Sequence, residues 1–314
     1  MSKKRVLITG SSGMLGVDIA FHLNDKYDIV CTDIVDRNNP YCGIKNFVKC
    51  DITERNLAVN MIKSARPDLI IHTAAWTDVD GCELDSEKAM KINAEGTRNI
   101  ALGAKETNAL IFYISSDFVF DGEKNTPYKE DDIPNPINAY GLSKFEGESF
   151  IRKELDRYFI VRTSWLFGRY GRNFVDIILD KAERKEGLKI VIDQFGSPTY
   201  TADLSRAIEK LILIALEQNS IGGVYHFSNS GSCSWYKYAE QIIRIANKAD
   251  TGITPITSAE LDRPAKRPKV SILDTAKYAS LTGGSPRSWE AALEEYLFSG
   301  LGKQERNHVQ NFKK

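Results

Sequence analysis

The sequence predicts an α/β fold, a doubly wound parallel sheet joined to a smaller C-terminal α/β lobe. Three observations lead there: short apolar runs alternate with amphipathic stretches, a glycine-rich turn follows the first run, and the rhythm changes after Trp165. Strands of a parallel sheet are covered on both faces by helices and therefore read as nearly unbroken apolar runs.

Taken in order, "RVLITG" reads as the first strand and "MLGVDIAFHLND" as a helix with apolar residues at helical spacing. "DIVCTDI", "NFVKCDI", "DLIIHTAAW", "ALIFYISSD" and "YFIVRTSW" are further strands, with helical patterns between several of them. Beyond Trp165, "NFVDIILDKAERKEGL", "DLSRAIEKLILIALEQ" and "SWYKYAEQIIRIANKA" read as helices, and "KIVID" and "GGVYHFS" as strands. This divides the chain into a sheet domain of 1–165 and about 196–228, and a lobe of about 166–195 and 229–300, with a polar tail at 301–314. No repeat of solenoid period is present. The proline-bearing segments "NTPYKEDDIPNPIN" and "LDRPAKRPKVS" read as loops, either ordered over a site or exposed.

Composition narrows the function. At 314 residues the chain is long enough for a substantial core, and 42% of it is hydrophobic. Lysine plus arginine equals aspartate plus glutamate at 42 each, so no overall field favours nucleic acid or an anionic membrane. A small, locally bound partner is expected instead. The start "MSKKRVLITG" is too short for a signal peptide, and no apolar run is long enough to span a bilayer. Five cysteines (Cys31, Cys42, Cys50, Cys82 and Cys233) show neither a disulfide framework nor zinc spacing. A soluble cytoplasmic protein is the expectation.

"GSSGMLG" sets Gly10, Gly13 and Gly16, with Ser12 between them, at the first strand-to-helix turn. Glycines there allow a tight turn and close backbone approach to a pyrophosphate, whose charge the helix N-terminus attracts. Asp33 closes the second strand about 20 residues on, where a carboxylate accepts from the hydroxyls of an adenosine ribose. It would repel a 2′-phosphate and so leans towards NADH, while Arg37 keeps NADPH open. A dinucleotide-binding Rossmann arrangement accounts for all of this.

The second motif is "NAYGLSKFEGE". Tyr140 and Lys144 stand just over one helical turn apart, on one face, where both can act on one bound molecule. A tyrosine has an ordinary pKa near 10. A nearby ammonium is expected to lower it and bring proton exchange within reach, and the lysine can also hold the nicotinamide ribose. Ser115 and Ser116, at the carboxyl end of "ALIFYISSD", offer a hydroxyl to polarise a carbonyl.

The glycine turn, the strand-end serine and Tyr-x-x-x-Lys together resemble the extended short-chain dehydrogenases/reductases. More narrowly, "ISSDFVFDG", "PYKEDD", "NPINAYGLSKFEGE", "RTSWLFG", "NFVDIIL", "DQFGSPTYTADL" and "RPKVSILDT" are similar, in order and spacing, to the dTDP-4-dehydrorhamnose reductase family. The resemblance covers the chain apart from its tail. It implies NAD(P)H-dependent reduction of a 4-keto group on a dTDP-sugar, giving dTDP-L-rhamnose. It also implies Ser116, Tyr140 and Lys144 as catalytic residues, Tyr140 being the proton donor. Gly13, Met14 and Leu15 would meet the pyrophosphate, Asp51 and Ile52 the adenine, and Thr73, Ala74 and Ala75 the middle of the cofactor. Ser116, Asp117 and Trp165 would touch the sugar nucleotide, and Arg267 its diphosphate.

Ser116 departs from the threonine common in the family, keeping the hydroxyl and losing a methyl. Partners under the resemblance are the dTDP-sugar and, in some members, a second copy in a homodimer. Magnesium-binding carboxylates of the family cannot be located in this sequence, and no metal is expected. Two other readings stay open: another nucleotide-sugar 4-ketoreductase or epimerase, and a non-catalytic NADP-binding subunit resembling the beta subunit of methionine adenosyltransferase. Asp117-Phe118 in place of Asp-Glu argues against a dehydratase. Trp165 is read equally as core or as a sugar platform.

Overall fold

A computed structural model describes residues 3–35 and 46–298. Arg37, Cys42 and the polar tail at 301–314 lie outside the described residues.

Among the described residues, one sheet of seven parallel strands organises the chain. The strands are β1 (Arg5–Thr9), β2 (Asp28–Asp33), β3 (Phe47–Lys49), β4 (Leu69–His72), β5 (Leu110–Ser116), β6 (Tyr158–Thr163) and β7 (Gly223–His226). Their spatial order is β7-β6-β5-β4-β1-β2-β3. Strand order reverses between β1 and β4, and open α/β sheets bind ligands outside the carboxyl ends of the strands at such a point.

Alternation along the strands builds two cores. Val6 and Ile8 face one side with Ile71, Phe112 and Val161, beneath helices α1 (Met14–Leu23) and α6 (Thr201–Glu217). Leu7 faces the other with Ile70, Ile111 and Ile160, beneath α2 (Arg55–Ala65), α3 (Gly96–Thr107) and α4 (Ala139–Glu154). Period-two geometry sends neighbouring side chains to opposite faces, so one strand serves both cores.

A separate cluster brings together α5 (Phe174–Glu183), α7 (Trp235–Ile245) and α8 (Trp289–Phe298) around Phe167, Tyr200 and Tyr238. Three short strand pairs trim it: Leu166–Phe167 with Thr199–Tyr200, Phe195–Gly196 with Cys233–Ser234, and Leu188–Val191 with Ile253–Ile256. The segment around Lys269 then crosses towards the sheet. Lys269 O accepts from Phe195 N at 2.7 Å, and Val270 N donates to Gly122 O at 3.2 Å. No helix among the described residues is long and apolar enough to cross a membrane.

Candidate active site

The carboxyl ends of β1, β2, β4 and β5 lie along one edge of the sheet. At its first end Gly10 adopts φ +67°, and a Cβ there would lie 2.5 Å from Ala74 N. A side chain at Gly16 would stand 2.2 Å from Gly10 O. Backbone is therefore packed against backbone, and the turn meets any ligand with peptide N–H groups rather than side chains. Gly13 caps α1 without a side-chain hydrogen bond, which leaves the helix N-terminus to attract an anion. This cradle suits a dinucleotide pyrophosphate.

Asp33 stands at the end of β2, where its Oδ2 accepts from Ser12 N at 2.9 Å. The carboxylate thus ties the glycine turn to the second strand. Asp51 accepts from Thr53 N at 2.9 Å, and Asn99 Nδ2 donates to Ile52 O at 2.9 Å. Thr73 Oγ1 donates to Thr9 O at 2.7 Å, beside Ala74 and Ala75. Met14 and Leu15 open α1 just beyond the cradle. The cofactor residues expected from sequence therefore line one continuous edge, with Arg37 outside the described residues.

At the other end, Asn138 caps α4 by accepting from Gly141 N at 2.8 Å. Gly141 lets the helix press on the turn after β5, since a Cβ there would meet Phe118 O at 2.1 Å. That contact brings Tyr140 to Ser116. Ser116 Oγ donates to Asp117 Oδ1 at 2.9 Å and accepts from Phe118 N at 3.2 Å. Ser115, the other candidate, points away and donates to Glu148 Oε1 at 2.7 Å. Lys144 is buried with its Nζ 4.3 Å from the centroid of the Tyr113 ring.

The electrostatics differ from the expectation in one respect. Burial raises the Tyr140 pKa, with Asp117 and Cys82 adding to it and Ser116 opposing. A phenol eased towards phenolate by its lysine was expected, but desolvation outweighs that. The same desolvation lowers Lys144 to about 7, against the pull of Glu148. The Tyr140 phenol is thus held protonated.

Asp117 is buried, which raises its pKa to about 6, while Ser271 and Ser116 ease it downward. Its Oδ2 makes no hydrogen bond. A buried acceptor of that kind awaits a donor. Trp165 takes φ +46° and stacks on Trp235 at 3.6 Å, with a Cβ on Gly196 only 2.5 Å from its ring. The indole is wedged against the smaller core and half-buried, so its core role is real.

Arg267 was expected at the substrate diphosphate; in the structure its guanidinium grips Asp80 with two bonds of 2.7 Å. Arg263 stands 3.6 Å from the same carboxylate. Asp80 is thereby held below the usual carboxylate range, chiefly by Arg267. The fork is filled by a carboxylate of matching geometry, and the segment is strapped to helix Val79–Leu84.

Sequence reasoning missed several supports. Asn93 accepts from Trp76 N at 2.7 Å and donates to Ser143 Oγ at 2.9 Å, joining the β4 loop to α4. It sits in a π-helical turn, Met90–Glu95, that leaves no periodic signal. Glu148 and Trp235 were also passed over, although Glu148 continues the four-residue spacing of Tyr140 and Lys144.

Comparison with known proteins accords with this geometry. The family model described as "RmlD substrate binding domain" matches residues 4–300. A dTDP-4-dehydrorhamnose reductase of Aggregatibacter actinomycetemcomitans is 36% identical over 298 residues, covering 92% of this chain and 97% of that one. The chain belongs to the RmlD family of dTDP-4-dehydrorhamnose reductases. Another family relative, the spore coat polysaccharide biosynthesis protein SpsK of Bacillus subtilis, is 36% identical over 294 residues, covering 93% of this chain and 96% of its own.

Among solved structures, the dTDP-4-dehydrorhamnose reductase of Bacillus anthracis in complex with NADP has a TM-score of 0.85 and 39% identity, with 96% of this chain and 100% of that one covered. The UDP-glucose 4-epimerase of Thermus thermophilus, in complex with NAD, has a TM-score of 0.80 at 18% identity and shares the fold. Family and Rossmann-type fold both agree with the sequence reading.

Proposed function

We propose that this RmlD-family protein reduces the 4-keto group of dTDP-4-dehydrorhamnose to give dTDP-L-rhamnose with NAD(P)H. One observation carries the reading: the turn after β5 that holds Ser116 packs against the first turn of α4, which carries Tyr140 and Lys144, at the same sheet edge as the glycine turn. NAD(P)H, when bound, supplies hydride to the carbonyl carbon.

The chain's own residues manage the oxygen. Ser116 turns its hydroxyl from Asp117 to the developing alkoxide and stabilises it. Tyr140, half-buried and held protonated, delivers the proton. Lys144 gives positive charge behind the phenol and so favours the phenolate left afterwards. Asp117 Oδ2 accepts a sugar hydroxyl, which completes its hydrogen bonding. Gly10, Ser12, Gly13, Met14, Leu15 and Gly16 form the pyrophosphate edge, Asp33, Asp51 and Ile52 the adenosine edge, and Thr73, Ala74 and Ala75 the centre. Trp165 presents its free edge to the sugar from the smaller lobe, which takes the nucleotide end of the substrate. The reaction belongs to the cytoplasm, where its soluble substrate and cofactor meet.

The test is oxidation of NADH and NADPH, followed at 340 nm, with dTDP-4-dehydrorhamnose made in situ from dTDP-glucose. Stoichiometric oxidation with formation of dTDP-L-rhamnose is expected. Product formed without net cofactor consumption would point to an epimerase. Cofactor binding without either outcome would sink the reductase reading. A dTDP-4-keto-6-deoxy-D-glucose reductase of Streptomyces niveus is 32% identical over 294 residues, so that sugar, which differs from the proposed substrate at C3 and C5, is the comparison to run alongside.

A further inference from the structure

Helix α4 carries a third ionisable side chain in the same register. Glu148 follows Lys144 by one turn, as Lys144 follows Tyr140, and its side chain is fully buried. Ser115 Oγ and Arg162 Nε donate to Oε1 at 2.7 and 2.8 Å. Arg162 Nη2 and Arg152 Nη2 donate to Oε2 at 2.7 and 3.1 Å. Every one of these contacts is a donor, so the acceptor sites of the carboxylate are all taken.

Arg162 is equally buried. Well-packed apolar residues often hold two elements together as firmly as a buried ion pair. An anchor between α4 and β6 therefore needs no charge. One turn away, however, a charge has a use: Lys144 is 3% exposed, and burial is the force that pulls its proton off.

We propose that Glu148, fixed by Arg162, is a positioning residue that keeps the Lys144 ammonium charged within the core and so sets the alkaline limit of the reaction. Only the link to turnover rests on the reductase reading; the charge on Lys144 is a property of the folded chain.

The surrounding groups leave Lys144 as the one that titrates. His72 on β4 and His226 on β7 are both lowered to about 3 by burial and stay neutral. Burial pushes the Tyr113 phenol on β5 well above its ordinary value and the Cys82 thiol up to about 12. Asp117 changes charge near 6 and faces Tyr140. On helix Val79–Leu84, Asp80 is taken by Arg267, and Glu83 accepts from Ala139 N. Arg98 and Lys105 of α3 face Glu154 instead.

The experiment reads the lysine directly. The 13Cε shift of Lys144, assigned by its loss in Lys144→Arg, is titrated in the ligand-free full chain and in Glu148→Gln, and pH–rate profiles are taken in parallel. A wild-type midpoint near 7 is expected. Glu148→Gln should lower it by about one unit or more, with the alkaline limb of kcat moving alike, and Glu148→Asp should restore both. Activity needs the ammonium, so it is present below the midpoint and lost as pH rises through it.

A folded Glu148→Gln protein with an unmoved lysine and only a lower urea midpoint would overturn the proposal. If that variant does not fold, the wild type decides. A midpoint at 7 or above supports a felt countercharge, whereas one below about 6, where uncompensated buried lysines titrate, refutes it. The NMR result stands whether or not the sugar is reduced, so a failed turnover assay alone would count against the reductase reading.

Discussion

The two ends of this sheet edge are built from different materials. At the cofactor end the contacts are backbone against backbone, with a Cβ at Gly10 falling only 2.5 Å from Ala74 N, and the carboxylates of Asp33 and Asp51 accept from neighbouring peptide N–H groups. At the reacting end Lys144 and Asp117 are buried and Tyr140 is half-buried, and each is driven towards its neutral form. A steric frame works the same at any pH. A desolvated cluster is set by its neighbours and fails when one of them changes.

Substitutions should therefore separate the two ends, one through affinity and the other through turnover. Tyr140→Phe has the largest expected effect: turnover falls by about 10²- to 10⁴-fold, the range for a lost general acid. NADPH affinity, followed by cofactor fluorescence, should change by less than about threefold, under 1 kcal/mol. Affinity lost together with turnover would mean that the ring is structural. Gly10→Ala is the mirror experiment. A side chain at φ +67° and in contact with Ala74 should cost about 10- to 100-fold in NADPH affinity, with kcat kept at saturating cofactor. Equal losses in kcat would blur the distinction drawn between the ends.

The same contrast explains what could be read from the sequence. The cofactor end was legible because its requirement is local: a glycine is visible as a glycine, and "GSSGMLG" lies within one turn. Tyr140 and Lys144 were legible for the same reason, as neighbours on one helix. The direction of the phenol's pKa was not, since burial against Phe118 and beside Asp117 arises from packing across α4 and β5. The ion pair of Arg267 was not legible because its partner, Asp80, lies far away in sequence, and a charged loop residue does not announce which carboxylate it meets. The strands of the sheet were found by their apolar runs, but the two-residue strands at Leu166–Phe167 and Thr199–Tyr200 are too short to show a period.

Trp165 belongs to neither end by construction, and it tests whether the smaller lobe has its own rule. Its left-handed backbone is held by the stack on Trp235 at 3.6 Å. Trp235→Ala removes that face. Aromatic stacking contributes roughly 0.5–1.5 kcal/mol beyond area, so KM for the sugar nucleotide should rise by up to about tenfold. NADPH affinity and kcat should stay put. A change in cofactor affinity instead would show that the two lobes are coupled through the indoles.

The smallest effect expected is the response of stability to mild acid, where the buried groups oppose one another. His72 and His226, lowered to about 3 from 6.5, contribute stability that is present above the unfolded value and lost as pH falls towards 3. Asp18 and Asp117, raised to about 6 from 3.8, act in the opposite sense: the folded chain holds their protons, so their contribution is present below 3.8 and lost as pH rises through 6. Between those limits two histidines and two aspartates nearly cancel, and the urea midpoint should be almost flat from pH 6 to about 4. Below that the histidines act unopposed, at up to about 1.4 kcal/mol per pH unit each. Paired carboxylates such as Asp80 and Glu209, held below their usual range, add to the fall. Asp117→Asn removes one opposing group, so the midpoint should acquire a downward slope with acid between pH 6 and 4. A curve that stayed flat in that variant would show that Asp117 titrates normally and that the reacting end is wetter than its packing implies.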